Sequence, residues 1–176
     1  MLDPNALENI LKQLIVDSGR LMKQYLINTD YKKRPFVCDA HWSSKLELLQ
    51  SQIEMLMEAS GTTFRESVGR ALKKYANRKK HPEENVYKLQ QLPAESDFHQ
   101  AALQYSYALF GETKMEADLF DLTSEICELH EEFYSHTPFQ LTPNWYAELG
   151  DVGYLLLKLH GHIMKTQLIT NSGISP

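Results

Sequence analysis

Hydrophobic side chains recur along this chain every three or four residues, which is the spacing of one face of an α-helix. The first such stripe follows Asp3 and Pro4, an N-cap residue and a proline at the first helical position, and predicts a helix to about Asn28. Glycine and proline are sparse and lie between the periodic segments. The inward face of this first helix would carry Leu7, Ile10, Leu11, Leu14, Leu21 and Met22. The pattern predicts an all-α protein.

Capping signals and breaks divide the rest of the chain into further helices. Ser44 and Glu47 form a capping-box pattern that opens a helix to about Ala59, and Thr63 and Glu66 form a second one. The remaining predictions are an end of that second helix at about Lys80, a short helix after the break at 81–85, helices over 97–110 and 116–135, a last helix from Pro143 to about Gln167, and a disordered tail over 169–176.

Two pairs of acidic residues lie inside the last two predicted helices: Glu125 with Glu128, and Glu148 with Asp151. Each pair is spaced i, i+3, so its two acids point to the same side of their helix. Each pair also lies in an apolar stripe, where a carboxylate is costly to desolvate unless a positive charge compensates it. Facing helices would form a four-carboxylate cluster, for which Mg²⁺ is a natural counter-charge and Mn²⁺ an alternative. The other interpretation is two solvated acidic helix faces, since surface acids at this spacing are common.

The order and context of these pairs resemble the MazG-like, all-α nucleoside triphosphate pyrophosphohydrolases. The motif is Glu125-Ile-Cys-Glu128, nineteen intervening residues, then Glu148-Leu-Gly-Asp151. LTSEICEL and AELGDVGYLLLKL are similar to the family's two motif helices, and DFHQAALQYSYA is similar to the helix that opens its domain. The resemblance covers about residues 96–168 and implies a MazG-like helical bundle there. Residues 1–95 would add an N-terminal helical region that packs on this bundle or builds an oligomer interface.

The resemblance implies metal-dependent hydrolysis of a nucleoside triphosphate to the nucleoside monophosphate and pyrophosphate. Mg²⁺ would be held by Glu125, Glu128, Glu148 and Asp151. Glu128 or Glu132 would orient or deprotonate the attacking water, since acids at 125, 128 and 132 lie on one stripe. The family's proteins are typically dimers or tetramers, so the resemblance also predicts a homo-oligomer.

A triphosphate also needs positive groups and a surface for its base. Lys114 precedes the first motif helix, Lys158 follows Asp151 by seven residues, and Tyr154 follows it by three. We take all three as candidate substrate-binding residues, although surface lysines and core aromatic packing are the simpler interpretations of each one alone. The spacer between the motifs carries no basic residue except His136, so the source of phosphate-binding cations stays open.

A separate basic segment lies over residues 65–80, and its cations include Arg70, Lys73, Lys74 and Lys80. It could bind an anion or nucleic acid, lend cations to the acid cluster of a neighbouring subunit, or be a solvated helix with basic residues near its C-terminus. The net charge of −5 argues against nucleic acid as the main partner. The rival class, in which this segment binds a protein or nucleic-acid partner, is a catalytically inactive MazG-like helical protein.

The remaining features of the sequence predict a soluble cytoplasmic protein. The first residues show no basic region followed by an apolar run, and no stretch is apolar enough to cross a membrane. The two cysteines, Cys38 and Cys127, are far apart and have no metal-binding spacing, which argues against a disulfide framework.

Overall fold

The computed structural model describes residues 3–171, with side chains up to Lys165, and this part of the chain contains helices and no strand. The helices are α1 (Pro4–Asn28), α2 (Ala40–Ala59), α3 (Phe64–Arg78), α4 (Glu84–Gln90), α5 (Glu95–Phe110), α6 (Met115–Ser135) and α7 (Pro143–Asn171). The predicted all-α class is confirmed. Residues 172–176 of the predicted tail lie outside the described residues, whereas the backbone of residues 169–171 continues α7.

Two of the predicted helix starts are confirmed by their caps. The Asp3 carboxylate accepts a hydrogen bond from the Asn5 N–H at 3.0 Å, and Pro4 occupies the first helical position. At the start of α3 the Thr63 side chain accepts from the Glu66 N–H, while the Glu66 carboxylate accepts from the Thr63 N–H. These reciprocal bonds satisfy backbone donors that a helix start would otherwise leave unpaired.

The capping box predicted at Ser44 is wrong. Helix α2 begins at Ala40, five residues earlier than a Ser44 cap would give, because the Asp39 carboxylate accepts from the Trp42 N–H at 2.7 Å. The Ser44 hydroxyl instead donates to the Ala40 carbonyl within the helix, at 2.8 Å. The earlier start brings Trp42 into the helix, and its fully buried ring packs against Phe36.

One continuous apolar core joins the N-terminal helices to the C-terminal ones. Helix α7 lies at its centre, in contact with α2, α3, α5 and α6, and α1 packs on α2 and α6. Helices α6 and α7 run antiparallel, so Asp118 near the start of α6 meets Lys158 late in α7. No helix in the described part of the chain combines the length and apolar character needed to span a bilayer.

Small residues allow α3 to approach α7 closely. A Cβ atom added to Gly150 would lie 2.6 Å from the Ser67 carbonyl oxygen, and one added to Gly153 would lie 3.2 Å from the Val68 Cγ2. The atom that the Gly150 Cβ would meet belongs to the backbone of α3. Rotation of a side chain therefore could not relieve the clash. This close packing fixes the part of α3 that follows Ser67 against the part of α7 that carries the acids.

Candidate metal centre

Three carboxylates converge between α6 and α7. Glu125 of α6 and Glu148 and Asp151 of α7 each offer an oxygen atom, and these atoms all lie within 4.8 Å of one another. Asp151 is 4% exposed, whereas Glu125 and Glu148 are half-buried. We call these three residues the acid cluster. They meet because the i, i+3 spacing on α7 aligns two acids toward an antiparallel α6.

Glu128, the fourth predicted ligand, is exposed and lies at the rim of the acid cluster. Its negative charge still raises the pKa of both Glu125 and Glu148, so it lies close enough to act on them. With Glu148 it lines a shallow surface depression of about 280 Å³ that also includes Glu131, Glu132 and Ser135. Glu132 is half-buried in that depression and accepts a hydrogen bond from the Thr142 hydroxyl.

The acid cluster has more negative charge than its surroundings compensate. Burial, followed by the charges of Asp151, Glu128 and Glu148, raises the pKa of Glu125 to about 7, against a smaller opposing effect of Lys74. The pKa of Glu148 is also raised, first by burial and then by Asp151 and Glu128. A hydrogen bond between Glu125 and Glu148 partly offsets that rise. Such mutual repulsion is what a bound cation would relieve.

Asp151 is the member of the acid cluster with strong partners. The Lys74 ammonium on α3 forms an ion pair with its Oδ2 atom, and the Tyr75 hydroxyl donates to its Oδ1 atom at 2.9 Å. Burial raises the pKa of the Tyr75 phenol, and the adjacent Asp151 charge raises it further. From the sequence, Lys74 was predicted to belong to a separate basic segment. The acid cluster of the same chain was not predicted as its partner. The signal that could have joined them is Gly150 beside Asp151, since a small residue permits a neighbouring helix to come close.

Other cations of α3 lie on either side of Lys74 at helical spacing. The Arg70 guanidinium lies 4.9 Å from the centre of the Tyr146 ring, and that of Arg78 lies 5.8 Å from the centre of the Tyr75 ring. Residues 70, 74 and 78 are spaced i, i+4, i+8 and therefore follow one face of α3. Lys73, the neighbour of Lys74, instead pairs with Glu83 at 2.9 Å.

Lys158 is not brought to the acid cluster. Lys158 is 6% exposed, and its ammonium forms an ion pair with Asp118, which is fully buried on α6. Asp118 also accepts hydrogen bonds from the Thr113 hydroxyl at 2.7 Å and from the His162 imidazole at 2.7 Å. Burial alone would raise the pKa of Asp118, but these partners outweigh it and lower the pKa. We call these four residues the Asp118 cluster.

The other two predicted substrate-binding residues lie apart from the three acids or are turned away from solvent. Lys114 is exposed at the N-cap of α6, eleven residues before Glu125, which is about 16 Å along a helix. Tyr154 is buried, its hydroxyl is hydrogen-bonded to that of Ser106, and burial raises its pKa to about 12. Its ring packs 5.2 Å from the Tyr75 ring, so Tyr154 supports the tyrosine that contacts Asp151.

The donor set of the acid cluster fits a hard divalent cation. All three groups are carboxylates, and no histidine or cysteine joins them among the described residues. Mg²⁺ and Mn²⁺ prefer such oxygen ligands, whereas structural zinc sites use cysteine and histidine. Three carboxylates against one lysine also leave an excess of negative charge that a divalent ion would balance.

Comparison with family models, curated proteins and solved structures gives no match for this chain. The MazG-like resemblance therefore stays a prediction based on the motif residues. The convergence of the three carboxylates is a separate observation, made from the structure.

Proposed function

We propose that this protein is a metal-dependent hydrolase that converts a nucleoside triphosphate to the nucleoside monophosphate and pyrophosphate. The observation that supports this most is the convergence of Glu125, Glu148 and Asp151 from two antiparallel helices. These are three of the four residues that the MazG-like resemblance assigns to the metal, in their order along the chain. A homo-oligomer and a cytoplasmic location accompany the proposal, and the mass of the protein in solution tests the first of them.

In this proposal Glu125, Glu148 and Asp151 hold Mg²⁺ or Mn²⁺. The ion, when bound, neutralises phosphate charge and makes the phosphorus more electrophilic. Glu128 accepts a proton from the water that attacks the α-phosphorus, and pyrophosphate leaves with the electrons of the broken P–O bond. Glu128 suits this role better than Glu132, because Glu128 is exposed at the rim whereas Glu132 already accepts a hydrogen bond from Thr142.

The test is pyrophosphate release from a panel of canonical and modified ribo- and deoxynucleoside triphosphates, with Mg²⁺ and with EDTA. We expect metal-dependent release by the wild-type protein, and a loss of at least about 100-fold in Glu128→Gln and in Glu148→Gln. Glu131→Gln is the matched control, since Glu131 is exposed on the same helix. Absence of release from every nucleotide by a folded protein with metal bound would refute the proposal.

The alternative is a catalytically inactive protein that binds a partner, and one observation favours it. Lys74 and Tyr75 already satisfy both oxygens of Asp151, as structural ion pairs do. In that case Glu128→Gln would leave function intact, whereas charge reversal of Lys73, Lys79 and Lys80 on and after α3 would abolish partner binding. Pulldown of labelled RNA, DNA or partner protein by both variants separates the two functions.

A further inference from the structure

One member of the acid cluster, Asp151, is already paired with a cation of the protein. The Lys74 ammonium contacts Oδ2 of Asp151, and the Tyr75 hydroxyl contacts Oδ1. Both oxygens of the most buried acid in the cluster are therefore engaged by groups of the protein. A metal ion that takes Asp151 as a ligand therefore competes with these donors, and against the Lys74 ammonium it competes as a second positive charge.

The two donors differ in how easily they can leave. Tyr75 is held by aromatic neighbours on two sides, with ring centres 5.7 Å from Phe110 and 5.2 Å from Tyr154. Lys74 is 31% exposed at its side chain and reaches Asp151 through a flexible four-carbon stem. The lysine is thus the group that can withdraw without repacking the core.

We propose that Lys74 is a displaceable counter-ion: it occupies the position of the divalent cation at Asp151 and is released when that cation binds. The inference rests on the proposed function, because it takes the acid cluster as the metal site. It gives the chain an internal competitor for the metal, since two cations cannot share one buried carboxylate oxygen without strong repulsion.

The released ammonium would remain on the face of α3 that also carries two arginines. Arg70 and Arg78 lie four residues before and after Lys74 on the same face of α3, so the freed lysine joins a row of three cations beside the metal site. A metal-bound triphosphate would present its phosphate oxygens to this row. Lys74 therefore opposes binding of the free metal ion and favours binding of the metal–triphosphate complex, and these two effects have opposite signs.

The experiment measures the two affinities separately, without turnover. Mn²⁺ binding is measured by electron paramagnetic resonance, and binding of Mn²⁺ with an α,β-methylene deoxynucleoside triphosphate by isothermal titration calorimetry. In Lys74→Met we expect the affinity for free Mn²⁺ to rise about tenfold and the affinity for the Mn²⁺–analogue complex to fall about tenfold. Lys73→Met is the matched control and should change neither, because Lys73 pairs with Glu83. Lys74→Gln repeats the test with a polar side chain in case the methionine variant does not fold.

The outcomes separate this inference from the function on which it rests. Tighter Mn²⁺ binding in Lys74→Met, including binding that only the variant shows, supports the displaceable counter-ion. Equal or weaker Mn²⁺ binding in the variant, with the wild type binding normally, overturns the inference and leaves the metal-dependent function standing. Lack of Mn²⁺ binding by wild type and variant alike overturns both.

Discussion

Helices α6 and α7 carry two charged clusters seven residues apart. The negative charge is compensated in one cluster and in excess in the other. In the Asp118 cluster one carboxylate is matched by Lys158, His162 and Thr113, and its pKa is lowered. In the acid cluster three carboxylates share one lysine, and the pKa of Glu125 is raised to about 7. The two clusters lie on the same pair of helices, so the difference is in the partners and not in the backbone.

The two clusters therefore differ in what their charges do to the stability of the fold. A buried charge whose partners satisfy it contributes to a single packed arrangement, and removing one partner is costly. A cluster with surplus like charge lowers stability and is retained where it binds something. We therefore expect substitutions in the two clusters to change stability in opposite directions.

The largest effect is expected in the Asp118 cluster. Asp118→Ala leaves the Lys158 ammonium buried without a carboxylate, so it should lower the free energy of unfolding by about 3–5 kcal/mol. Urea unfolding at pH 7 measures this. Asp121→Ala is the control, because Asp121 is exposed on the same helix and should change little. A loss in Asp118→Ala as small as that of the control would contradict the structural role.

A double variant that removes both partners of the ion pair sharpens this test. Asp118→Leu combined with Lys158→Met replaces the ion pair by apolar side chains of similar size, and should recover most of the lost stability. Failure of the double variant to recover would place the cost in packing and not in charge.

The next largest effect is expected where α3 packs on α7 and brings Lys74 close to Asp151. Gly150→Ala would place a Cβ 2.6 Å from the Ser67 carbonyl and force α3 away from α7, at a cost of about 1–3 kcal/mol. Gly19→Ala is the matched control, since nothing lies within 4 Å of its added Cβ and it should stabilise α1 by about 0.5–1 kcal/mol. Urea unfolding gives both values. In NMR spectra the shifts in Gly150→Ala should spread from Lys74 to Glu125 and spare Asp118.

In the acid cluster itself, removal of a charge should stabilise the protein. Glu125→Gln at pH 8 without metal should raise the free energy of unfolding by about 1–2 kcal/mol, because it removes repulsion among half-buried carboxylates. The same variant should lose the rise in melting temperature that Mn²⁺ gives the wild type. Glu131→Gln should stay within about 0.5 kcal/mol of wild type and keep the response to Mn²⁺. Destabilisation by Glu125→Gln would mean that this acid has a structural role like that of Asp118.

The smallest effect is a dependence of stability on pH. Burial and the neighbouring carboxylates raise the pKa of Glu125 from the ordinary value of 4.5, expected in the unfolded chain, to about 7, so the folded state holds the proton more tightly. Its contribution is full below pH 4.5 and is lost as the pH rises through 7. Without metal, the wild-type free energy of unfolding should fall by about 1 kcal/mol between pH 5.5 and 7.5, and less in Glu125→Gln. Equal slopes for the two proteins would contradict the raised pKa.

The sequence allowed good prediction of features that depend on one helix or on neighbouring helices. Caps at Asp3 and Thr63, the helix class, and the convergence of three acids follow from local chemistry and i, i+3 spacing. The predicted start at Ser44 is wrong because Asp39 caps the helix instead. A start at Asp39 brings Trp42 into the helix, where its ring is buried.

Features that depend on packing between distant segments were not predictable in the same way. Lys158 does lie on the acid-bearing face of α7, but its partner Asp118 was overlooked although it precedes Glu125 by seven residues, the same offset. Lys74 is 77 residues from Asp151 in the chain, and periodicity within α3 cannot show which helix its face will contact. That information lies in the close backbone approach at Gly150.

The close approach of Ser67 to Gly150 also bears on how much of the chain a shortened version of this protein must keep. A fragment starting at residue 96 would carry all four motif acids and both motif helices. It would lack α3, and with it Lys74 and Tyr75, so Asp151 would lose both of its partners and the face of α7 that holds Gly150 would be open to water. The segment marked by the motifs thus holds the three acids but not the two groups that pair with Asp151.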